Sequence, residues 1–377
     1  MLLKLFDKNH NLKQYLLNVT EPKVVSSLSM GEKTLTFSWK YDSEVDIESE
    51  FYIATETDEY VIKEKSKASK GYYNIVAQLN LEDIEGKEWR KFGDGNVITA
   101  QKCGDLALAD TGWKCISELD DKERNITLTN TNSYKIFEKI VDAYLCEIQW
   151  DTINKTVYLK EKIGKDSGAY FLRGLNIKEI DDVSESYDYY TRIIPVGADG
   201  LTIEEVNNGR NYLENYQYSS KSKTLIWEDT NYKNADMLKA DAEYKLNELS
   251  KPKKSYKLKL LDLAKCKPGY SVFSYAIGDT ITLIDPEKDI KEEQRIIKIT
   301  EYPDNPLKNE VELSNTVLSF EEMQKKLLAA AENVQNITDG NVVIGPKVEG
   351  MDARQISGLE IYYTEPISNI ELEDMLD

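Results

Sequence analysis

The chain has 377 residues, 41% of them apolar and 10% aromatic, and its 67 acidic against 48 basic side chains leave a formal charge of −19. That length exceeds one comfortable core and predicts two to four domains with real apolar interiors. The acidic balance disfavours sequence-reading contacts with nucleic acid or adhesion to anionic lipid, and no stretch approaches the roughly 18 to 20 apolar residues of a membrane span, so no membrane anchor is expected.

Residues 1–19 start apolar but are broken by Asp7, Lys8, Asn9 and His10, which predicts a strand or two rather than a signal peptide. Residues 34–39 (TLTFSW) alternate with period two and predict a strand. Residues 51–79 then read as strand, charged turn, strand, Lys/Gly turn, strand. Residues 281–315 repeat that order 230 positions later, with a basic residue beside the aliphatics of each middle strand (EYVIKEK, QRIIKIT). A chain that repeats a small β unit is usually repeating a surface for assembly, since edges and faces are what such units offer.

The repeats frame the predicted domains. Residues 1–100 form a first β-barrel-like domain. Residues 101–167 form a small α+β domain with a helical or turn segment at 103–115, a strand at 126–128 and an amphipathic helix at 133–144. Ser133 is the expected N-cap of that helix, and Ile136, Phe137, Ile140, Val141 and Tyr144 form its apolar stripe. Strands at 145–150 and 156–159 flank the Asn154-Lys155 turn. Residues 168–200 and 264–318 form a second β-barrel-like domain, with a strand at 189–196. It is interrupted by a helix-bearing lobe, 201–263, whose helix (234–249) ends before Pro252 and whose last strand is 256–263. Residues 319–377 read as a C-terminal helix (320–334) and an extended acidic arm. The predicted fold class is mainly β with α+β lobes: two similar small barrels, two smaller mixed domains and the C-terminal arm.

Few residues look chemical. Cys103, Cys115, Cys146 and Cys266 are widely spaced without a CxxC pair, which predicts reduced, buried thiols in a protein made in a cytoplasm. His10 is the single histidine, so neither a metal site nor a Cys/His nucleophile is expected, and no cofactor is implied. Asp110-Thr111-Gly112 spells an aspartic-protease motif, but it occurs once, a dyad needs two carboxylates, and Trp113 follows; a turn before a buried tryptophan is the plainer reading. Acid clusters such as Glu82, Asp83 and Glu85, or Asp181 and Asp182, read as solvated faces rather than a glycosidase pair. Tyr212, Tyr216, Tyr218 and Trp227 could stack on sugar rings, although bracing a lobe or an interface suits them better.

The order of domains resembles the baseplate hub proteins of long-tailed phages, including prophage tail proteins labelled tail endopeptidase or tail-associated lysin. The resemblance rests on residues 105–115 (DLALADTGWKC), the helix at 235–249 followed by Pro252 and the 256–263 strand, 276–281 (AIGDTI), Arg295-Ile296 and 311–313 (VEL), and it covers residues 1–320. It implies a non-enzymatic homotrimer at the tail tip of a phage or phage-tail-like particle, made in the host cytoplasm. Each subunit's two similar barrels would alternate about the axis, so that three chains meet a six-fold tail tube or distal tail ring above and a three-fold tip, spike or fibre protein below. DNA would be passing cargo only, in a channel that acidic walls keep from trapping it.

On this reading the interface strands are residues 60–64 and 72–79 in the first barrel and 280–284 and 295–300 in the second. The named contact candidates are Tyr60, Val61, Ile62, Tyr72, Tyr73, Ile75, Thr280, Ile281, Leu283, Arg295 and Ile297. Two alternatives stand beside it: a tail-associated peptidoglycan hydrolase, and a surface carbohydrate-binding protein using the tyrosine-rich lobe.

Overall fold

A computed structural model of the chain describes residues 1–315, save 18, 42–45, 69–70, 121, 187–188 and 267–268. The expected C-terminal helix and arm therefore lie outside the described residues. The chain is mainly β with α+β lobes.

The first arm holds β1 (Leu3–Phe6), β2 (Leu12–Leu16), β3 (Val19–Ser27), β4 (Lys33–Lys40), β5 (Tyr52–Ala54), β6 (Glu59–Lys67) and β7 (Tyr72–Leu79). Their alternation is what period two dictates: Leu35, Phe37 and Trp39 of β4 point inward and are buried, while Thr36 and Ser38 between them are only half-buried. Each such buried large side chain contributes on the order of 1.5–3 kcal/mol of transfer free energy.

The mixed domain follows, with α1 (Glu82–Glu85), β8 (Glu88–Phe92), β9 (Val97–Thr99), α2 (Ala100–Ala107), β10 (Lys114–Ser117), β11 (Glu123–Asn125), β12 (Leu128–Asn132), α3 (Ser133–Tyr144), β13 (Glu147–Asp151) and β14 (Thr156–Lys160). Helix α3 buries Ile136, Phe137, Ile140 and Tyr144 as the stripe predicts, with Val141 partly buried beside them. Its N-cap, however, is Asn132, whose side chain accepts from the Lys135 N–H at 3.0 Å. Ser133 lies one residue inside, where its hydroxyl donates to the Ala107 carbonyl (2.6 Å) and accepts from Trp89 Nε1 (2.9 Å). Of the expected strand at 126–128, Ile126 and Thr127 fall between β11 and β12, and Leu128 opens β12.

The second arm comprises β15 (Asp166–Leu172), β16 (Ile177–Ser186), β20 (Lys253–Leu260), β21 (Thr280–Asp285), β22 (Ile290–Glu301) and β23 (Glu310–Ser314), with the short helix α5 (Leu263–Cys266) between β20 and β21. Between β16 and β20 the chain makes a lobe of β17 (Arg192–Val196), β18 (Leu213–Glu214), β19 (Thr224–Glu228) and α4 (Ala235–Leu249). The lobe limits differ from the sequence expectation. The 189–196 strand pairs inside the lobe, with β18 and β19, rather than in the second β unit. The strand after Pro252 pairs with β16 and β23 and is a central strand of the arm, not of the lobe.

Both arms share one thirteen-stranded sheet, in the order β16-β20-β23-β22-β3-β4-β7-β6-β5-β1-β2, with β15 and β21 branching from β22. The order within the arms is the same. Outward from β3 the first arm runs β3-β4-β7-β6-β5, and outward from β16 the second runs β16-β20-β23-β22-β21, every pairing antiparallel. The far strand of the second arm is β15, parallel to β21. In the first arm β1 is interposed antiparallel to β5, and β2, antiparallel to β1, takes that last place in the same direction. Even the irregularities coincide, since β6 has a register shift between Ile62 and Glu64 and β22 has one between Ile296 and Lys298, each against its final strand.

Candidate assembly surfaces

The arms meet edge to edge where β22 pairs antiparallel with β3: Lys298 lies opposite Ser27, Ile299 opposite Ser26, Thr300 opposite Val25 and Glu301 opposite Val24. Just upstream, the Leu28 N–H donates to the Ile297 carbonyl at 2.8 Å, and Leu28, Ile163 and Ile297 form a small apolar cluster. The mixed domain clasps this junction. Arg295 on β22 and Glu147 on β13 form a two-pronged ion pair, 11% and 8% exposed, and Arg295 also donates to the carbonyls of Ile163 (2.6 Å) and Gly278 (2.8 Å). Glu147 in turn accepts from the Ile163 N–H at 2.6 Å, so both buried charges are satisfied.

The AIGDTI segment is part of this joint. Gly278 has φ +84°, and a Cβ there would lie 2.5 Å from the Ile163 carbonyl oxygen; Gly164, φ +83°, faces it with equal closeness. Only glycine accepts both the left-handed backbone and the approach. Asp279 finishes the turn, its carboxylate accepting from the N–H groups of Lys165 (2.8 Å) and Ala276 (2.9 Å).

A second clasp holds the lobe. Arg124 at the base of the mixed domain reaches Asp241 of α4 through two bonds of 3.0 and 2.7 Å, and Tyr232 donates to the same carboxylate at 2.7 Å. Lys139 of α3 adds an ion pair with Asp229 at 3.1 Å.

These findings relocate most of the contact candidates. Tyr60, Val61, Ile62, Ile75, Ile281, Leu283 and Ile297 are buried in the chain's own interior; Tyr60, Val61 and Ile62 are consecutive, so β6 is covered on both faces there, while Ile75, Ile281 and Leu283 are the core-facing alternate positions of their strands. Arg295 is spent on Glu147. Tyr72, Tyr73 and Thr280 remain partly at the surface. Sequence reading missed Glu147, Arg124 and Asp241; the one local signal was a carboxylate set beside the apolar residues of the CEIQW strand.

Asp110 is in a left-handed turn (φ +65°) after α2, with its carboxylate exposed and paired with Lys87. Burial pushes the thiols of Cys103, Cys115 and Cys146 up to about 12, away from the thiolate a nucleophile needs, while Cys266 is exposed. His10 stacks on Tyr52 at 3.9 Å and lies 3.5 Å from Glu59. Trp227 packs edge-on against Tyr232 at 5.3 Å with Lys245 over its face, and Arg192 covers Tyr212. Tyr216 and Tyr218 are exposed. Among the described residues no group of three or more His, Cys, Asp or Glu side chains is placed to hold a metal ion, and no helix is long and apolar enough to cross a membrane.

Two family models match the chain. Residues 82–159 match a model described as prophage endopeptidase tail domain, and residues 165–324 match one described as prophage endopeptidase tail, together well over half the sequence. Among solved structures, the prophage tail protein gp18 from Listeria monocytogenes EGD-e is 15% identical, with a TM-score of 0.65 over 88% of this chain and 99% of its own. The 43 kDa tail protein of prophage MuSo2 from Shewanella oneidensis is 12% identical, with a TM-score of 0.59 over 83% and 98%. A tail protein from Neisseria meningitidis MC58 is 8% identical, with a TM-score of 0.57 over 83% and 96%. In sequence, the SPbeta prophage-derived protein YomG of Bacillus subtilis (strain 168) is 28% identical over 102 residues, which is 26% of this chain and only 12% of that relative. The mixed domain and the second arm carry the family match, and the chain is a phage tail protein that belongs to the prophage endopeptidase tail family.

Proposed function

We propose that the chain is a structural, non-catalytic hub subunit, three copies of which form a ring at the distal end of the tail tube. The observation that supports this most is internal: two arms of one chain share strand order, pairing direction and the position of a strand irregularity. Three copies then present six near-equivalent sheets to a six-fold tube, while the lobe and mixed domain recur only three times and suit a three-fold tip. The partners on this reading are two further copies of the chain, the tube or distal tail ring, and a spike or fibre protein. The charge of −19 suits a channel through which DNA passes without being held.

The family description contains the word endopeptidase, so the non-catalytic part has its own support: the buried thiols are held protonated, and Asp110 lies in an exposed turn paired with a lysine. Counting copies per particle tests the reading. Quantitative mass measurement of isolated tails, referenced to the tube protein, gives three per tail on this account; one or six would overturn it. A peptidoglycan zymogram and a casein digest of the purified chain, both expected to be blank, test the hydrolase alternative.

A further inference from the structure

The junction between the arms has a second half that none of the described residues supplies. In the second arm, β22 is paired with β21 through Arg295 and then, on that same side, with β3 from Lys298 to Glu301. In the first arm, β6 is paired with β5 at Glu59, Tyr60 and Val61 and hydrogen-bonded on that side to Glu50 and Phe51 at Ile62, and among the described residues no strand continues along that side beside Glu64 to Lys67. At the opposite end of the shared sheet, β16 has β20 as its one strand partner among the described residues. Thus β6 lacks the neighbour that β22 has, and β16 lacks the neighbour that its counterpart β3 has.

We propose that these two vacancies fill each other between copies: β16 of one chain adds antiparallel to β6 of the next, repeating between chains the β3–β22 pairing found within one. This rests on the three-chain reading above. The step of rotation that carries the first arm onto the second also carries the second onto the first arm of the next copy, so it must carry the internal junction onto the interface between copies.

The shared irregularity sets the register. Ile62 and Ile296 are equivalent, as are Glu64 and Lys298, from their matching shifts against β7 and β23. Ile62 and Ile296 lie opposite Ala77 and Leu313, which lie opposite Leu35 and Tyr256, and those lie opposite Val24 and Asp182. Transferring the β3–β22 register then sets Lys65 opposite Glu185 and Lys67 opposite Asp182.

Charge supports this occupant over another. The free stretch of β6 reads Lys63, Glu64, Lys65, Ser66, Lys67, while β16 carries Glu179, Asp181, Asp182 and Glu185. At the internal junction the positions equivalent to Glu185 and Asp182 are Ser26 and Val24, which are neutral. Unlike charges on the open stretch of β6 and on the edge strand β16 favour pairing the one with the other and oppose pairing either with its like. In the single chain Lys65 reaches Asp46 at 2.6 Å and covers the Tyr73 ring, so it exchanges one carboxylate for another on assembly.

The test is a cysteine pair at the transferred register, K65C with E185C, in the full chain with exposed Cys266 replaced by serine and assembled into tails. Mild oxidation is expected to give a covalent ladder ending at three chains on a denaturing gel, with neither single-cysteine variant doing so. Alongside, K65E/K67E is expected to lower incorporation into tails at least tenfold, and adding D182K/E185K is expected to restore it, which a folding defect would not allow. Tails holding three copies with no cross-link and no charge rescue would overturn the β6–β16 pairing while leaving the three-chain ring standing. Tails holding one copy would remove the ring itself.

Discussion

Arg295 on β22 and Glu147 on β13 form a nearly buried, doubly hydrogen-bonded ion pair across 148 positions of sequence, and this pair fastens the mixed domain onto the seam between the two arms. Removing one partner leaves the other charge buried and unpaired, which costs about 3–5 kcal/mol. Glu147→Leu and Arg295→Met are each expected to lower stability by that amount in urea titrations, and the double variant Glu147→Leu/Arg295→Met to recover most of the loss. Single variants within about 1 kcal/mol of the parent would show that the clasp is idle.

Gly278 and Gly164 make the closest backbone approach at the same seam. Gly278→Ala must relieve both a left-handed φ and contact with the Ile163 carbonyl, whereas Gly174→Ala, with φ +87° and open space around its Cβ, faces the first penalty alone. Each backbone penalty is on the order of 1–3 kcal/mol. Thermal melts are therefore expected to rank Gly278→Ala below Gly174→Ala, and the reverse order would refute the close approach.

The buried thiols impose an alkaline limit. Burial raises Cys103, Cys115 and Cys146 from the ordinary 9.0 to about 12. The folded state thus keeps protons that the unfolded state sheds above pH 9. The stability contributed by the protonated thiols is fully present below that pH and is lost as pH rises from 9 towards 12, by about 1.4 kcal/mol per pH unit per thiol. Urea titrations at pH 8, 10 and 11 should show this decline. A thiol reagent at pH 8 should modify Cys266 alone until denaturant is added; rapid labelling of the other three in the native protein would contradict their burial.

The lobe is held largely by Arg124, Asp241 and Tyr232, with Lys139 and Asp229 beside them. Arg124→Ala leaves Asp241 buried with the Tyr232 hydroxyl still donating to it but no cation beside it, so the lobe should melt before the arms. Calorimetry is expected to resolve two transitions in that variant and one in the parent. A single, uniformly lowered transition would mean that the lobe and arms unfold as one.

Much of this architecture was readable from local pattern. The three-strand meanders at 51–79 and 281–315 announce themselves because Asp, Lys, Gly and Pro turns separate period-two runs, and α3 because Ile136, Phe137, Ile140 and Tyr144 recur at helical spacing. What failed was partnership. The alternation of residues 189–196 states that they form a strand but not which sheet holds it, so the lobe limits were misplaced. The same limit explains the contact candidates: Tyr60, Ile62 and Leu283 are apolar alternate positions, and the pattern is identical whether they face a core or a neighbour. Asn132 and Ser133 are adjacent capping types, and one position of offset separates a cap from a first-turn residue. Beyond the carboxylate set in the CEIQW strand, the pairing of Arg295 with Glu147 left no signal, since nothing local records a contact across 148 positions.

An electron cryomicroscopy map of the assembled tail tip, resolving side chains and calculated without imposed symmetry, tests the doubled-arm account most directly. The account predicts three copies whose six arms lie at one radius, turned in steps of about 60° as six positions in a closed ring require. Arms of one chain lying at different radii, or related by no rotation about the tail axis, would contradict it.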